Sequence, residues 1–292
     1  MFERILFPTD GSAGAEDVFG HVLDLAATYG STVHVLNVAD TSRDSVVQMS
    51  GEIVDVLEEE GERIVEATAE RANDRRIDTV TEVRQGDPHR TIVDYAAATD
   101  IDLVVMPTQG RRGLARFLLG STTERVVRQS PVPVLTIRPG DETAIAYPYQ
   151  EVLVPTDGSD AATAALSVGA DVAREEGARL HLLSVIDVMS LGVDVRTDIQ
   201  QRELREGANK ILDEGASDAA DAGVDSVVKQ VNTGGSIPAV IRSYIEEAGI
   251  DLVVVGSHGR TGFDRYVLGS VTESLIRTAP VPVLTVKAPS DT

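Results

Sequence analysis

The chain contains no cysteine, no tryptophan, three lysines and no long apolar run. Without cysteine, disulfides, thiolate catalysis and cysteine-based metal sites are all excluded. The five histidines, His21, His34, His89, His181 and His258, form no close pair at metal-ligand spacing, so no metal site is expected from them. Apolar runs reach only about five to seven residues, against the roughly 18 needed to span a bilayer. The opening MFERILFPTDGS has neither a basic leader nor a long apolar stretch, and does not read as a signal peptide. A soluble, cytoplasmic protein with no membrane partner is the expectation.

Positive charge is also scarce. Twenty-six basic residues stand against 47 acidic ones, for a net charge of −21, and Lys210, Lys229 and Lys287 are the only lysines. The excess is spread evenly, −11 over residues 1–143 and −10 over 144–292, so it belongs to the whole surface. Such a field repels nucleic acid and anionic membranes, whose binding requires cationic contacts. The acid-rich, lysine-poor balance is halophile-like: it resembles cytosolic proteins of salt-loving organisms, where salt screens the self-repulsion.

What is present is a repeat. Leu6-Phe7-Pro8-Thr9-Asp10-Gly11-Ser12 returns as Leu153-Val154-Pro155-Thr156-Asp157-Gly158-Ser159. Ile101-Asp102-Leu103-Val104-Val105 returns as Ile250-Asp251-Leu252-Val253-Val254, and Pro131-Val132-Pro133-Val134-Leu135-Thr136 as Pro280-Val281-Pro282-Val283-Leu284-Thr285. The offset is 147 at the start and 149 later, so the second copy is slightly longer in its middle. A chain of 292 residues accommodates two domains of about 145, each large enough to fold alone. The expected domains are 1–140 and 148–289, joined where Pro, Tyr and charge replace the apolar pattern.

Within each copy, short β-branched runs alternate with longer amphipathic stretches, as in a parallel sheet covered by helices. Strands are expected near 3–8, 32–38, 79–84, 102–107 and 133–138, and near 151–155, 179–185, 226–232, 251–256 and 282–287. Long helices are expected near 45–75 and 194–222. Leu252-Val253-Val254-Val255 lacks alternation, as a strand buried on both faces does. The fold class is α/β: two tandem Rossmann-like domains, each a five-stranded parallel sheet with helices on both faces.

Ligands in such sheets sit beyond the carboxyl ends of the strands, and two loops of each copy end there. The first is Pro8-Thr9-Asp10-Gly11-Ser12 or Pro155-Thr156-Asp157-Gly158-Ser159. Its Asp suits a ribose hydroxyl, and suits a turn or helix cap equally well. The second loop reads Gly256-Ser257-His258-Gly259, then nine residues, then Gly269-Ser270. Glycines bring backbone amides close to phosphate, and a helix opening at Ser270 offers an anion its free amides. Ser270-Val271-Thr272-Glu273 and Ser121-Thr122-Thr123-Glu124 also read as capping boxes, which need no ligand. Both readings stay open on these residues alone.

Taken together, the LVPTDGS start, the DLVVVGSHGR segment, the glycine spacing and the PVPVLTV end resemble the universal stress protein family, whose fold is adenine nucleotide α hydrolase-like. The resemblance covers both copies. It implies that a copy with Gly-x-x-Gly-x9-Gly-Ser binds an adenine nucleotide, ATP or AMP, with magnesium accompanying ATP. By position, Pro155, Thr156 and Asp157 would meet ribose or phosphate, and the main chain at Val185 would meet adenine. Gly256, Gly259, Gly269 and Ser270 would wrap ribose and phosphates, with Val271 and Thr272 adding contacts; Arg260, beside the loop, suits phosphate and suits general surface pairing as well. The matching set in the first copy is Thr9, Asp10, Val38, Gly110, Gly120, Ser121 and Thr122. There Pro107 replaces the first glycine and Gln109 stands for His258. Proline fixes φ and deletes an amide donor, so weaker binding, or none, is expected in the first copy.

The resemblance implies a binding or regulatory module in stress response rather than a fast enzyme. Slow ATP hydrolysis or phosphotransfer is the alternative, with Asp157 and His258 as candidates, and a ligand-free dimerisation scaffold is another. The family pairs through its last strand, so 132–138 and 281–287 are expected to make an intramolecular pseudo-dimer, and a homodimer of whole chains is a further option.

Overall fold

The β-branched runs do form strands. A computed structural model describes residues 1–40, 50–109, 119–140, 145–187, 198–258 and 268–288, with the side chains of 50–55 and 198–201 left out. The chain divides into two units, Met1–Thr143 and Ala144–Thr292. The first runs β1 (Arg4–Pro8), α1 (Ala13–Tyr29), β2 (Thr32–Asp40), α2 (Ser50–Asp74), β3 (Thr79–Gly86), α3 (Pro88–Ala98), β4 (Leu103–Pro107), α4 (Ser121–Gln129) and β5 (Val134–Ile137). The second runs β6 (Glu151–Pro155), α5 (Asp160–Glu176), β7 (Arg179–Asp187), α6 (Asp198–Asp221), β8 (Val227–Gly234), α7 (Ile237–Ala248), β9 (Leu252–Gly256), α8 (Ser270–Thr278) and β10 (Val283–Val286).

Strand order within the first unit is β3-β2-β1-β4-β5, and within the second β8-β7-β6-β9-β10. The pairs inside each unit are parallel, with Leu6 beside His34 and Val104, and Leu153 beside His181 and Val253. This is the doubly wound arrangement anticipated from the alternation, and it reverses direction between β1 and β4, and between β6 and β9. Leu103–Pro107 and Leu252–Gly256 are buried at every position, as strands covered on both faces must be.

Local chemistry sets the helix ends nearest the site. Ser12 and Ser159 cap α1 and α5, their side chains accepting from Ala15 N at 3.4 Å and Ala162 N at 3.3 Å. Gly30 and Gly177 close the same helices in the left-handed region, at φ 63° and 66°, which costs glycine no Cβ clash. Two other glycines face open space: a Cβ at Gly20 in α1 or Gly207 in α6 would meet nothing within 4 Å. Gly20→Ala and Gly207→Ala should therefore each stabilise by about 0.5–1 kcal/mol. Chemical denaturation checks this through a higher midpoint at unchanged slope.

The matching histidines of β2 and β7 each pair with a tyrosine hydroxyl. His34 Nδ1 lies 2.9 Å from the Tyr95 hydroxyl, and His181 Nδ1 lies 2.8 Å from that of Tyr244. Each pair ties the second strand to the helix beneath it, α3 or α7. The neighbour on the first strand differs in sign. Glu151 sits 2.6 Å from His181 Nε2, whereas Arg4 holds the matching place beside His34. Burial first, and the Arg4 charge second, lower the His34 pKa.

Candidate functional site

In both units the first loop is a folded turn with the same bonds. Gly11 N donates to Thr9 Oγ1 at 3.2 Å and Ser12 N to Asp10 Oδ1 at 3.0 Å. Gly158 N donates to Thr156 Oγ1 at 3.2 Å and Ser159 N to Asp157 Oδ1 at 3.0 Å. Gly11 and Gly158 take φ of 70° and 75°, which favours glycine. Asp10 and Asp157 thus close an Asx turn, while the serines do the capping. Thr9 N and Thr156 N reach across to the carbonyls of Leu36 and Leu183, each at 2.9 Å. That bond places the Asp turn beside the end of the second strand, where Val38 and Val185 lie.

The second loop is also built alike. Gly120 N donates to Thr108 O at 2.8 Å, and Gly269 N to Ser257 O at 2.8 Å. Thr123 Oγ1 donates to Pro107 O at 2.9 Å, and Thr272 Oγ1 to Gly256 O at 2.7 Å. The Thr272 hydroxyl, a candidate ligand contact from the sequence, is thus engaged with the strand end and 3% exposed. Ser257 Oγ lies 2.9 Å from His258 Nδ1. Gly110, Gly259 and Arg260, named from the sequence, lie outside the described residues.

The capping boxes are not formed at the serines. Gly120 and Gly269 are the N-caps, with φ, ψ of −62°, 137° and −61°, 141°, and neither helix has a side-chain cap bond. Ser121 and Ser270 are first helical residues instead. Glu124 N and Glu273 N donate to their regular helical partners, the carbonyls of Gly120 and Gly269, at 2.9 and 2.8 Å. The first turns of α4 and α8 therefore present amides that no side chain caps, the arrangement that binds anions at helix N-termini.

These loops enclose space in the first unit. A cavity of about 620 Å³ is lined by Thr9, Asp10, Val38, Gly120, Ser121 and Thr122, all named from the sequence. Sequence reading missed others that share it: Asn37, Asp40, Glu60, Ile64, Ile92 and Met106. Asn37 also fixes the Asp turn, its Nδ2 donating to Thr9 O at 2.8 Å. A signal for Asn37 did exist, as the lone amide in the otherwise apolar run Val35-Leu36-Asn37-Val38. Pocket volumes of about 300–1,000 Å³ are usual for small-molecule sites.

Gly256 has a packing reason independent of any ligand. A Cβ there would lie 2.7 Å from the Ala161 carbonyl carbon and oxygen and 3.0 Å from its Cβ. The first unit carries Pro107 and Gly14 at the matching positions. A Cβ at Gly14 would meet Gln109 O at 3.0 Å and Pro139 Cγ at 3.1 Å. The near neighbours of Gly14 are thus the loop after β4 and Pro139, so glycine there has a packing reason of its own. No group of three or more metal-ligating side chains occurs among the described residues, and no described helix is long and apolar enough to cross a membrane.

Comparison with known proteins agrees with this architecture. The profile of the universal stress protein family matches residues 1–138 and again 148–287. A universal stress protein of Mycobacterium tuberculosis is 32% identical over 237 residues, covering 78% of this chain and 77% of the relative. One from Methanocaldococcus jannaschii is 32% identical over 141 residues, 47% of this chain and 83% of the relative. Among solved structures, a universal stress protein from Archaeoglobus fulgidus superposes with a TM-score of 0.76 at 25% identity, covering 99% of this chain and 100% of its own. The chain is a doubly wound α/β protein with its fold present twice. It belongs to the universal stress protein family.

Proposed function

We propose that the chain is an adenine-nucleotide-binding universal stress protein, a binding and regulatory module of the stress response in the cytoplasm, with ATP or AMP held in the second unit. One observation carries this reading: α8 opens on an N-terminus with no side-chain cap, directly after a segment with the full Gly-x-x-Gly-x9-Gly-Ser pattern. Phosphate at those amides satisfies donors that the sequence leaves without a cap. In this reading Gly256, Gly259, Gly269 and Ser270 surround the phosphates, Val271 and Thr272 add backbone amides, and Arg260 adds charge. Asp157 accepts from ribose, with Pro155 and Thr156 shaping its turn, and the Val185 main chain meets the base. Magnesium accompanies ATP.

Denaturing the purified protein and identifying released nucleotide by mass spectrometry is the direct test, followed by calorimetric titration of nucleotide-free protein with ATP and AMP. Asp157→Asn keeps an Oδ1 acceptor for the turn while removing the charge. It should weaken binding by about tenfold, roughly 1.4 kcal/mol, with little change in melting temperature. No released nucleotide and no binding heat would overturn the reading. The assembly reading, pairing through the last strands within a chain or between chains, is tested by light scattering at high salt. A mass of one chain leaves the intramolecular form, and twice that mass the homodimer.

A further inference from the structure

We propose that the second unit carries an oxyanion site on its last strand, built from the Thr285 hydroxyl and the Lys287 ammonium. It takes a phosphate-type oxyanion, either free or carried by a larger ligand.

Both groups are donors that the rest of the unit leaves unanswered. Thr285 is 3% exposed, and its Oγ1 has no hydrogen-bond partner among the described residues. A buried hydroxyl left in that state is destabilising, and native chains rarely carry one without a reason. Lys287 follows β10 directly and is half-buried. Burial lowers its pKa, and no charge close by counters that effect. The other two lysines are exposed and paired, Lys229 at 2.6 Å from Asp213 and Lys210 at 3.7 Å from Glu214. With 47 acidic residues against 26 basic ones, a lysine without a carboxylate is the exception. Half-buried, it holds a charge that its surroundings do not neutralise.

The strand brings the two groups together. Residues two apart share one face of a strand, so Thr285 and Lys287 lie on the same face of β10 at its carboxyl end. Val286 between them fixes that end, its carbonyl accepting from Ser257 N at 2.8 Å. Two donors, one of them cationic and neither an obligate acceptor, select an anion with oxygen acceptors. A water satisfies the hydroxyl but leaves the charge. In the first unit the matching residues are Thr136 and Arg138, and both have interaction partners. The site therefore distinguishes the two copies. It does not depend on nucleotide binding at either glycine loop.

Thermal melting of the whole chain at constant ionic strength, with inorganic phosphate replacing chloride, tests the site. The melting temperature of the parent should rise with phosphate concentration. That rise should vanish in Thr285→Val and in Lys287→Met, and persist in Thr285→Ser and Lys287→Arg. Without phosphate, Thr285→Val should be at least as stable as its parent, because it deletes a buried unpaired hydroxyl. A marked loss of stability there would show the hydroxyl already paired and overturns the site. Calorimetric titration with ATP and with AMP separates the two sources of the anion. A loss of about tenfold in affinity for either nucleotide, in both variants, assigns the site to a phosphate that the nucleotide carries. Unchanged nucleotide affinity, with the response to inorganic phosphate lost, assigns it to the free ion. Each of these supports the inference. No nucleotide binding by the parent, with a phosphate response that the variants lose, overturns the nucleotide reading and leaves this one standing. If neither the phosphate response nor nucleotide affinity depends on Thr285 and Lys287, the inference is overturned. Should Lys287→Met fail to fold, Lys287→Gln takes its place with the same expected losses.

Discussion

Replacing Gly256 by alanine should destabilise the second unit by about 3 kcal/mol, the upper end of what overpacking a tight site costs. The added methyl meets the Ala161 carbonyl carbon and oxygen at 2.7 Å, and these are backbone atoms that no rotamer change can move. Relief therefore requires α5 to shift away from β9. Ala161→Gly removes only the third neighbour, the Cβ at 3.0 Å. A double-mutant cycle should thus show a coupling of about 1 kcal/mol and incomplete rescue. Equilibrium denaturation of the four chains measures it. A Gly256→Ala chain as stable as its parent would mean that glycine at 256 answers to a ligand alone.

Acid should weaken the first unit through one residue of α1. His21 is 4% exposed, and burial lowers its pKa from 6.5 to about 4 against an opposing pull from Asp24. The folded imidazole refuses a proton that the unfolded chain accepts throughout that interval. Stability from this group is complete above pH 6.5, declines as pH falls, and levels off below about 4. The loss across the window is about 3 kcal/mol. His21→Val, which installs the residue found at the matching position 168, should flatten that part of the pH profile. The difference in slope between the two chains is the measured quantity. It isolates His21 from the many carboxylates that also titrate. Parallel profiles from pH 7 to 4 would show that His21 does not titrate as burial requires.

Most of the fold was legible because its causes are local. Val-rich runs such as Leu252–Val255 marked the buried strands. The long helices expected at 45–75 and 194–222 are described over Ser50–Asp74 and Asp198–Asp221. The site was legible in its loops and illegible in its fit. Thr9, Asp10, Val38, Gly120, Ser121 and Thr122 surround one cavity because repeated motifs mark strand ends. Gly14 carries no signal in the sequence, since the residues it packs against, Gln109 and Pro139, are distant in the chain. The same holds for Gly61, where a Cβ would meet Asn37 Oδ1 at 2.6 Å. Ser270 and Glu273 have the spacing of a capping box, but a one-residue shift of the helix start hands the cap to Gly269.

The paired differences at 14 and 107, and at 161 and 256, also bear on how the halves can exchange material. Recombination inside a domain, between the helix start and the fourth strand, would join the Ala161 type of helix to the Pro107 type of strand. That hybrid carries bulk on both sides of a contact which, in the second unit, has no room for a single methyl. The second copy's helix start is therefore matched to its own fourth strand, and exchange of whole domains is the kind that leaves the contact between Ala161 and Gly256 intact.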